Sequence, residues 1–179
     1  VNIMTTWGEN IDPANVWNKY PRPAMSRDQW QNLNGLWEYS IRPVGEDKPK
    51  KFDGEILVPF CIESALSGVG KTVGEDNYLW YKRTFDIPSS WKGKDVLLNF
   101  GAVDWQCKVW VNGQEVGGHT GGYAPFSIDI TKALKKKKNE LVVRVFDPTD
   151  KGEQPRGKQA SEPNGIWYTP VTGIWQNVS

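Results

Sequence analysis

The dipeptide Asn112-Gly113 lies between two alternating runs and restricts the fold more than any other feature of the chain. Trp105, Cys107, Val109 and Val111 alternate with Gln106, Lys108 and Trp110, the period of two expected of a strand with one buried face. A type I′ turn needs φ > 0 at both central residues, and Asn-Gly meets that demand best, so a hairpin is expected here. The return strand reads as short, Gln114 to Val116. Gly117, Gly118, Gly121 and Gly122 then surround the only histidine, His119, in what reads as a glycine-rich loop. Tyr123-Ala124-Pro125-Phe126 leads from it into a third strand, Ser127 to Ile130.

The flanking sequence has the same character. Residues 1–25 hold Asp12-Pro13 and Tyr20-Pro21-Arg22-Pro23 without sustained periodicity, and read as an extended arm over the domain surface. Ser26 and Gln29 have capping-box spacing, which predicts a short helical turn over Arg27 to Leu33 ended by Asn34-Gly35. Strands are expected over Leu36–Ile41, Ile56–Val58, Tyr78–Ile87, Val96–Phe100 and Leu141–Phe146, with a last one from Gly173 to Val178. Thr131 is expected to cap a short turn through Leu134, and Lys135–Lys138 reads as a solvated turn. Residues 61–77 and 147–170 are long loops, a length that marks functional or disordered segments in compact domains. Eight or nine short strands with little helix predict an all-β sandwich, because no segment supplies the crossover helices of a parallel α/β fold. The expected division is an arm and helical turn over 1–32 and one sandwich domain over 33–179.

Composition bounds the function. Ten tryptophans, six tyrosines and six phenylalanines in 179 residues favour strands and supply flat platforms for sugar rings. Lys+Arg 22 against Asp+Glu 21 gives no electrostatic footprint for nucleic acid. No apolar run approaches the roughly 18–20 residues that cross a bilayer, so no membrane partner is expected. Cys61 and Cys107 are the only cysteines, and two readings stand for them, a disulfide or two buried thiols. The chain begins at Val1 and stops just past an apolar strand, so it reads as a piece of a longer protein.

Candidate chemistry is sparse. Glu63, Glu75, Asp76, Asp104, Asp150, Glu153 and Glu162 fall in loops, form no recognisable catalytic pair, and read for the most part as solvated. One histidine and two separated cysteines are too few ligands for a zinc site of the usual type, and no serine lies in a nucleophile elbow. His119 either hydrogen-bonds within its glycine-rich segment or touches the edge of a sugar site. The loop from Asp147 to Pro170 concentrates Arg156, Lys158, Gln159 and Asn164, donors for sugar hydroxyls or a carboxylate, with Trp167 and Tyr168 available to stack on a ring. The bland alternative for that loop is packing on a neighbouring domain. Asp76 and His119 complete the candidate substrate-binding set; no catalytic residue, metal ligand or cofactor is assigned.

The segments VNGQEVGGHTGGYAPFSIDIT (111–131), YKRTFDIP (81–88) and GIWYTPVTGIWQ (165–176) together resemble the N-terminal sugar-binding domain of glycoside hydrolase family 2, the β-galactosidase, β-glucuronidase and β-mannosidase family. The resemblance implies a jelly-roll of the galactose-binding type and a parent enzyme that cleaves β-glycosides with retention. It also implies downstream immunoglobulin-like and (β/α)8 barrel domains, whose substrate pocket loops of this domain complete. The family's acid/base glutamate follows an asparagine in that barrel, whereas Asn139-Glu140 follows the lysine run and reads as a turn-to-strand junction. Some β-galactosidases carry a sugar- and sodium-binding aspartate where this chain has Gly121, so this segment looks closer to the β-glucuronidase form. Polysaccharide-degrading relatives are often exported, which points to the periplasm or the medium. Two other readings are a free-standing carbohydrate-binding module and a purely structural β-sandwich.

Overall fold

The structure is a computed structural model that describes residues 3–21 and 26–179. Its strands are β1 (Gly35–Pro43), β2 (Gly54–Val58), β3 (Asn77–Phe85), β4 (Leu97–Phe100), β5 (Val103–Asp104), β6 (Gln106–Val111), β7 (Gln114–Thr120), β8 (Phe126–Asp129), β9 (Asn139–Phe146) and β10 (Gly173–Ile174). The larger layer is one antiparallel sheet in the order β2-β1-β3-β9-β6-β7. Facing it, β4 pairs with β8 and β5 with β10. The C-terminal segment stays zipped to this second layer beyond β10. Trp175 N–H reaches Ala102 O at 3.3 Å, Gly101 N–H reaches Asn177 O at 2.8 Å, and Asn99 and Ser179 exchange two bonds at 2.7 and 3.0 Å. The molecule is an all-β jelly-roll sandwich. No helix of the described residues is long and apolar enough to cross a membrane.

The core forms where the alternating side chains of the two layers meet. Trp37 and Tyr39 from β1, Leu79 and Tyr81 from β3, Val143 and Val145 from β9, and Cys107, Val109 and Val111 from β6 are buried on one face. Leu98, Phe100, Val103, Ile174 and Val178 close the core from the other layer. Each such side chain contributes about 1.5–3 kcal/mol by leaving water. Cys61 and Cys107 are both free thiols, and burial pushes each up to about 11. The Asn112-Gly113 turn has φ 53° and 84°, the positive pair that a type I′ turn requires.

Three expectations give way. The return strand does not stop at Val116: β7 runs to Thr120, so Gly117, Gly118 and His119 belong to a strand. A bulge opposite Val109 and Trp110 absorbs the weak propensity of the glycines, and pairing to β6 overrides it. The expected helical turn over Arg27–Leu33 is irregular chain, because its end is drawn into the second layer: Leu33 N–H donates to Val178 O at 2.9 Å. The arm carries a short helix instead, α1 (Thr6–Glu9), capped by Thr5, whose hydroxyl accepts Gly8 N–H at 3.1 Å. The parts of the arm expectation that fall on Val1, Asn2 and Arg22–Met25 lie outside the described residues.

Candidate functional site

One end of the sandwich collects the functional candidates. β1 ends there at Pro43, β3 begins at Asn77, β9 ends at Phe146, β6 begins at Gln106 and β7 ends at Thr120. The long segment 147–172 therefore leaves β9 beside the glycines that follow β7, and returns into β10. It folds back on itself as an arm. Tyr168 N–H donates to Lys158 O at 2.8 Å, Ala160 N–H to Tyr168 O at 3.0 Å, and Trp167 N–H to Asn164 O at 3.0 Å.

The root of this arm is held by hydrogen bonds to three carboxylates, Asp104, Asp147 and Glu63. Asp147 accepts Thr149 N–H at 2.8 Å and the Thr172 hydroxyl at 2.9 Å. Thr172 N–H donates to Glu63 at 3.0 Å, so one residue ties two carboxylates together. Asp104, 3% exposed, accepts the Gln159 amide at 3.1 Å, and the carbonyl of that amide takes Val171 N–H. Burial, with a contribution from the neighbouring Asp147 charge, pushes Glu63 up to about 7 and Asp104 up to about 6. Burial raises Asp147 as well, against the opposing hydrogen bonds from Thr149 and Thr172. Glu63 and Asp104 are thus not the solvated loop residues expected from sequence. No group of three or more His, Cys, Asp or Glu residues suited to a metal ion occurs among the described residues.

The structure sorts the expected site residues into scaffold and surface. Arg156 pairs with Asp150 at 3.5 Å and lies over the Trp167 ring at 5.3 Å, so its charge braces the arm. Ser161 clamps the same Asp150 with two bonds, at 3.0 and 2.6 Å. Gln159 is committed to Asp104 and Val171. Lys158, Asn164, Trp167 and Tyr168 are exposed, together with Ile166, and make the tip amphipathic. Asp76 is exposed just before β3, its carbonyl accepting Val44 N–H at 2.8 Å. His119 points to the core side of β7 and stacks flat on Phe126 at 4.4 Å, which in turn stacks on Phe100 at 4.9 Å. Its Nδ1 is buried without a hydrogen-bond partner, contrary to the hydrogen-bonded reading.

Sequence reasoning missed Asp147, Thr172, Tyr123 and Trp175. Trp175 Nε1 donates to Gly122 O at 2.8 Å and the Trp175 ring meets Tyr123 edge-on at 6.2 Å, fixing the glycine segment against the C-terminal strand. Gly121 itself bears no carboxylate, yet Asp104 arrives from β5 so close to Gly122 that a side chain there would collide with its Oδ1. Only the position of Asp147, directly after an apolar strand, signalled any of this.

Residues 69–179 match the family described as glycosyl hydrolases family 2, sugar binding domain. The chain belongs to this family. It is 27% identical over 146 residues to a β-glucuronidase of Paenibacillus borealis, a match that covers 78% of this chain and 24% of that protein. A β-galactosidase of Thermoanaerobacter pseudethanolicus is 37% identical over 101 residues, covering 55% of this chain and 13% of that protein. Among solved structures, a Lactobacillus rhamnosus β-glucuronidase superposes with a TM-score of 0.59 at 32% identity, over 69% of this chain and 22% of the other. The chain therefore spans about a quarter or less of the length of these three relatives. The match takes in the hairpin, the arm and β10, the elements that build the carboxylate-rooted end of the sandwich.

Proposed function

We propose that this sandwich is the N-terminal sugar-binding domain of a retaining β-glycosidase and lends its arm to the substrate pocket of a catalytic barrel elsewhere in the protein. The single observation that carries this reading is the arm itself, whose root is rigidly bonded while its tip presents Lys158, Asn164, Trp167 and Tyr168 outward. A rigid base under an exposed donor-and-aromatic tip suits a segment that completes a sugar pocket built by another domain. Lysine and asparagine would hydrogen-bond hydroxyls or a carboxylate, and an aromatic face would stack on the apolar side of a pyranose. The names of the relatives support a β-glycoside as substrate and leave glucuronide and galactoside both in play.

The chemistry of cleavage is assigned outside this chain. Retention requires two carboxyl groups about 5–5.5 Å apart and open to substrate. Asp104 and Asp147 are instead buried, Glu63 is part-buried, and the three are bonded to Gln159, Thr149 and Thr172. Purified residues 1–179 are expected to leave aryl β-glycosides intact, and measurable turnover would refute the proposal. Tryptophan-fluorescence titration with oligosaccharides checks the binding claim. Only weak binding is expected without the barrel, and micromolar affinity would favour a free-standing carbohydrate-binding module.

A further inference from the structure

The outward face of the large sheet holds a cation without an acid. Arg144 of β9 is half-buried, with its guanidinium carbon 4.2 Å from the ring centroid of Tyr78, 5.7 Å from that of Trp80 and 5.8 Å from that of Trp110. The register makes this cluster: Trp80 lies opposite Arg144 on one side, Lys108 lies opposite it on the other, and Tyr78 faces Phe146 two pairs further along, on the same face. Trp80 and Trp110 stack at 5.8 Å over the same patch. The other cations on this outward face are paired, Arg42 with Asp53 at 2.8 Å, Lys82 with Glu38 at 2.7 Å and Lys108 with Glu115 at 3.3 Å, while Arg83 of the same sheet donates to the Leu33 and Asn34 carbonyls. Arg144 takes part in no ion pair among the described residues. A guanidinium stacked on aromatic rings keeps its N–H edge available, which is the geometry that binds a carboxylate with two parallel bonds.

Arg144 also lines a concavity of about 390 Å³ over β6, β7 and β9. Gly118 lines it, where a Cβ would run into the Cys107 carbonyl. Phe146 supplies an apolar wall, and Gln106, whose amide donates to Thr120 Oγ1 at 3.3 Å, supplies a polar edge. Lys108 stands at the rim, about half exposed, 3.3 Å from Glu115. Arg144 and Lys108 against Glu115 leave a net positive charge. The volume lies toward the small end of ligand pockets, about 300–1,000 Å³, and suits a single ring. We propose that this concavity is a separate carbohydrate subsite that takes one pyranose bearing a carboxylate. The carboxylate lies on the Arg144 edge and near Lys108, and the ring lies against Phe146. The assignment does not depend on what the arm contacts.

The test is a titration of the 179-residue chain with methyl β-glucuronide, methyl β-glucoside and acetate, followed by amide and indole chemical shifts. Methyl β-glucuronide is expected to saturate shifts at Gln106, Lys108, Gly118 and Arg144, with the glucoside and acetate each at least about tenfold weaker. Arg144→Gln and Lys108→Glu are each expected to weaken the glucuronide by about tenfold or more, while Lys136→Glu, in the exposed lysine turn, leaves it unchanged. Lys108 is solvent-facing, so its variant keeps the test decisive if Arg144→Gln loosens the aromatic cluster. Absence of saturation, equal response to the glucoside or to acetate, wild-type binding by Lys108→Glu, or shifts confined to the arm would each overturn the assignment.

Discussion

Asn112 both turns the chain and holds together the junction beside it. Its positive φ makes the hairpin, its Nδ2 donates to Ala133 O and to Asn139 Oδ1, both at 2.8 Å, and its Oδ1 accepts Glu140 N–H at 3.0 Å. Asn139 is fully buried, and its Oδ1 also takes Lys135 N–H at 2.7 Å. The Asn-Glu dipeptide is thus the clasp between the lysine turn and β9, with Glu140 in a half-exposed pair with Lys48 at 2.5 Å. Replacing Asn139 by Ala removes the acceptor of Lys135 N–H and one of the two acceptors of Asn112 Nδ2, both part-buried, and is expected to cost about 1–3 kcal/mol. Glu140→Gln loses only a surface pair, within about 0.5 kcal/mol. Urea unfolding of the two variants reads the difference directly. Equal and small effects would deny the clasp.

The arm, as an element, links stability to pH. A carboxyl whose pKa is higher in the folded chain than in the unfolded one stays protonated longer when folded, so folding takes up protons between the two values. For Glu63 the window runs from 4.5 to about 7, and for Asp104 from 3.8 to about 6. Stability should therefore fall as pH rises from about 4 to about 7 and change little above that. Asp53 acts oppositely. Its hydrogen bond from Arg42 holds it down to about 2, and that contribution is lost only as pH drops below about 4. Glu63→Gln keeps an acceptor for Thr172 N–H and removes the ionisation. The variant should be more stable than the parent at pH 8, by about 1–3 kcal/mol, and match it near pH 4. Denaturant midpoints across pH 4–8 decide this, and parallel curves for the two proteins would contradict it. None of this was legible in the sequence, because burial of Glu63 and Asp104 depends on where segment 147–172 folds back. What was legible is periodic: β6 alternates strictly enough to name its buried face, and Asn112-Gly113 announced its own turn, whereas β3 and β9 bury residues on both faces at Leu79–Tyr81 and Leu141–Val143. The capping-box spacing misled since Gln29 accepts from Lys94 and Leu33, where the turn would end, answers to Val178. In the candidate site the arm's donors and aromatics were visible as composition, while the commitment of Arg156 and Gln159 to the scaffold needed Asp150 and Asp104 in space.

At the scale of the whole molecule, sequence-distant pieces close the sandwich. Val178 O accepts Leu33 N–H at 2.9 Å, and Val178 N–H donates to Asn34 Oδ1 at 2.9 Å, across almost the full length of the chain. Ile174 and Val178 are fully buried between the layers. The N-terminal arm is tied far more loosely: Ile3 and Trp7 are exposed, and firm attachment begins at Val16, whose carbonyl accepts the Asn32 amide at 2.9 Å. The two ends should respond differently to removal. Deleting residues 1–12 should shift the melting temperature by no more than a few degrees, since little buried surface is lost. Deleting residues 173–179 removes two core side chains worth about 1.5–3 kcal/mol each, together with the ladder to residues 99–104. That loss is comparable to the net stability of a small domain, about 5–15 kcal/mol, and leaves β4 and β5 with open edges. The shortened chain should lose its near-ultraviolet circular dichroism and its single cooperative urea transition. If it keeps both, the C-terminal segment is an accessory to the fold and the second layer closes without it.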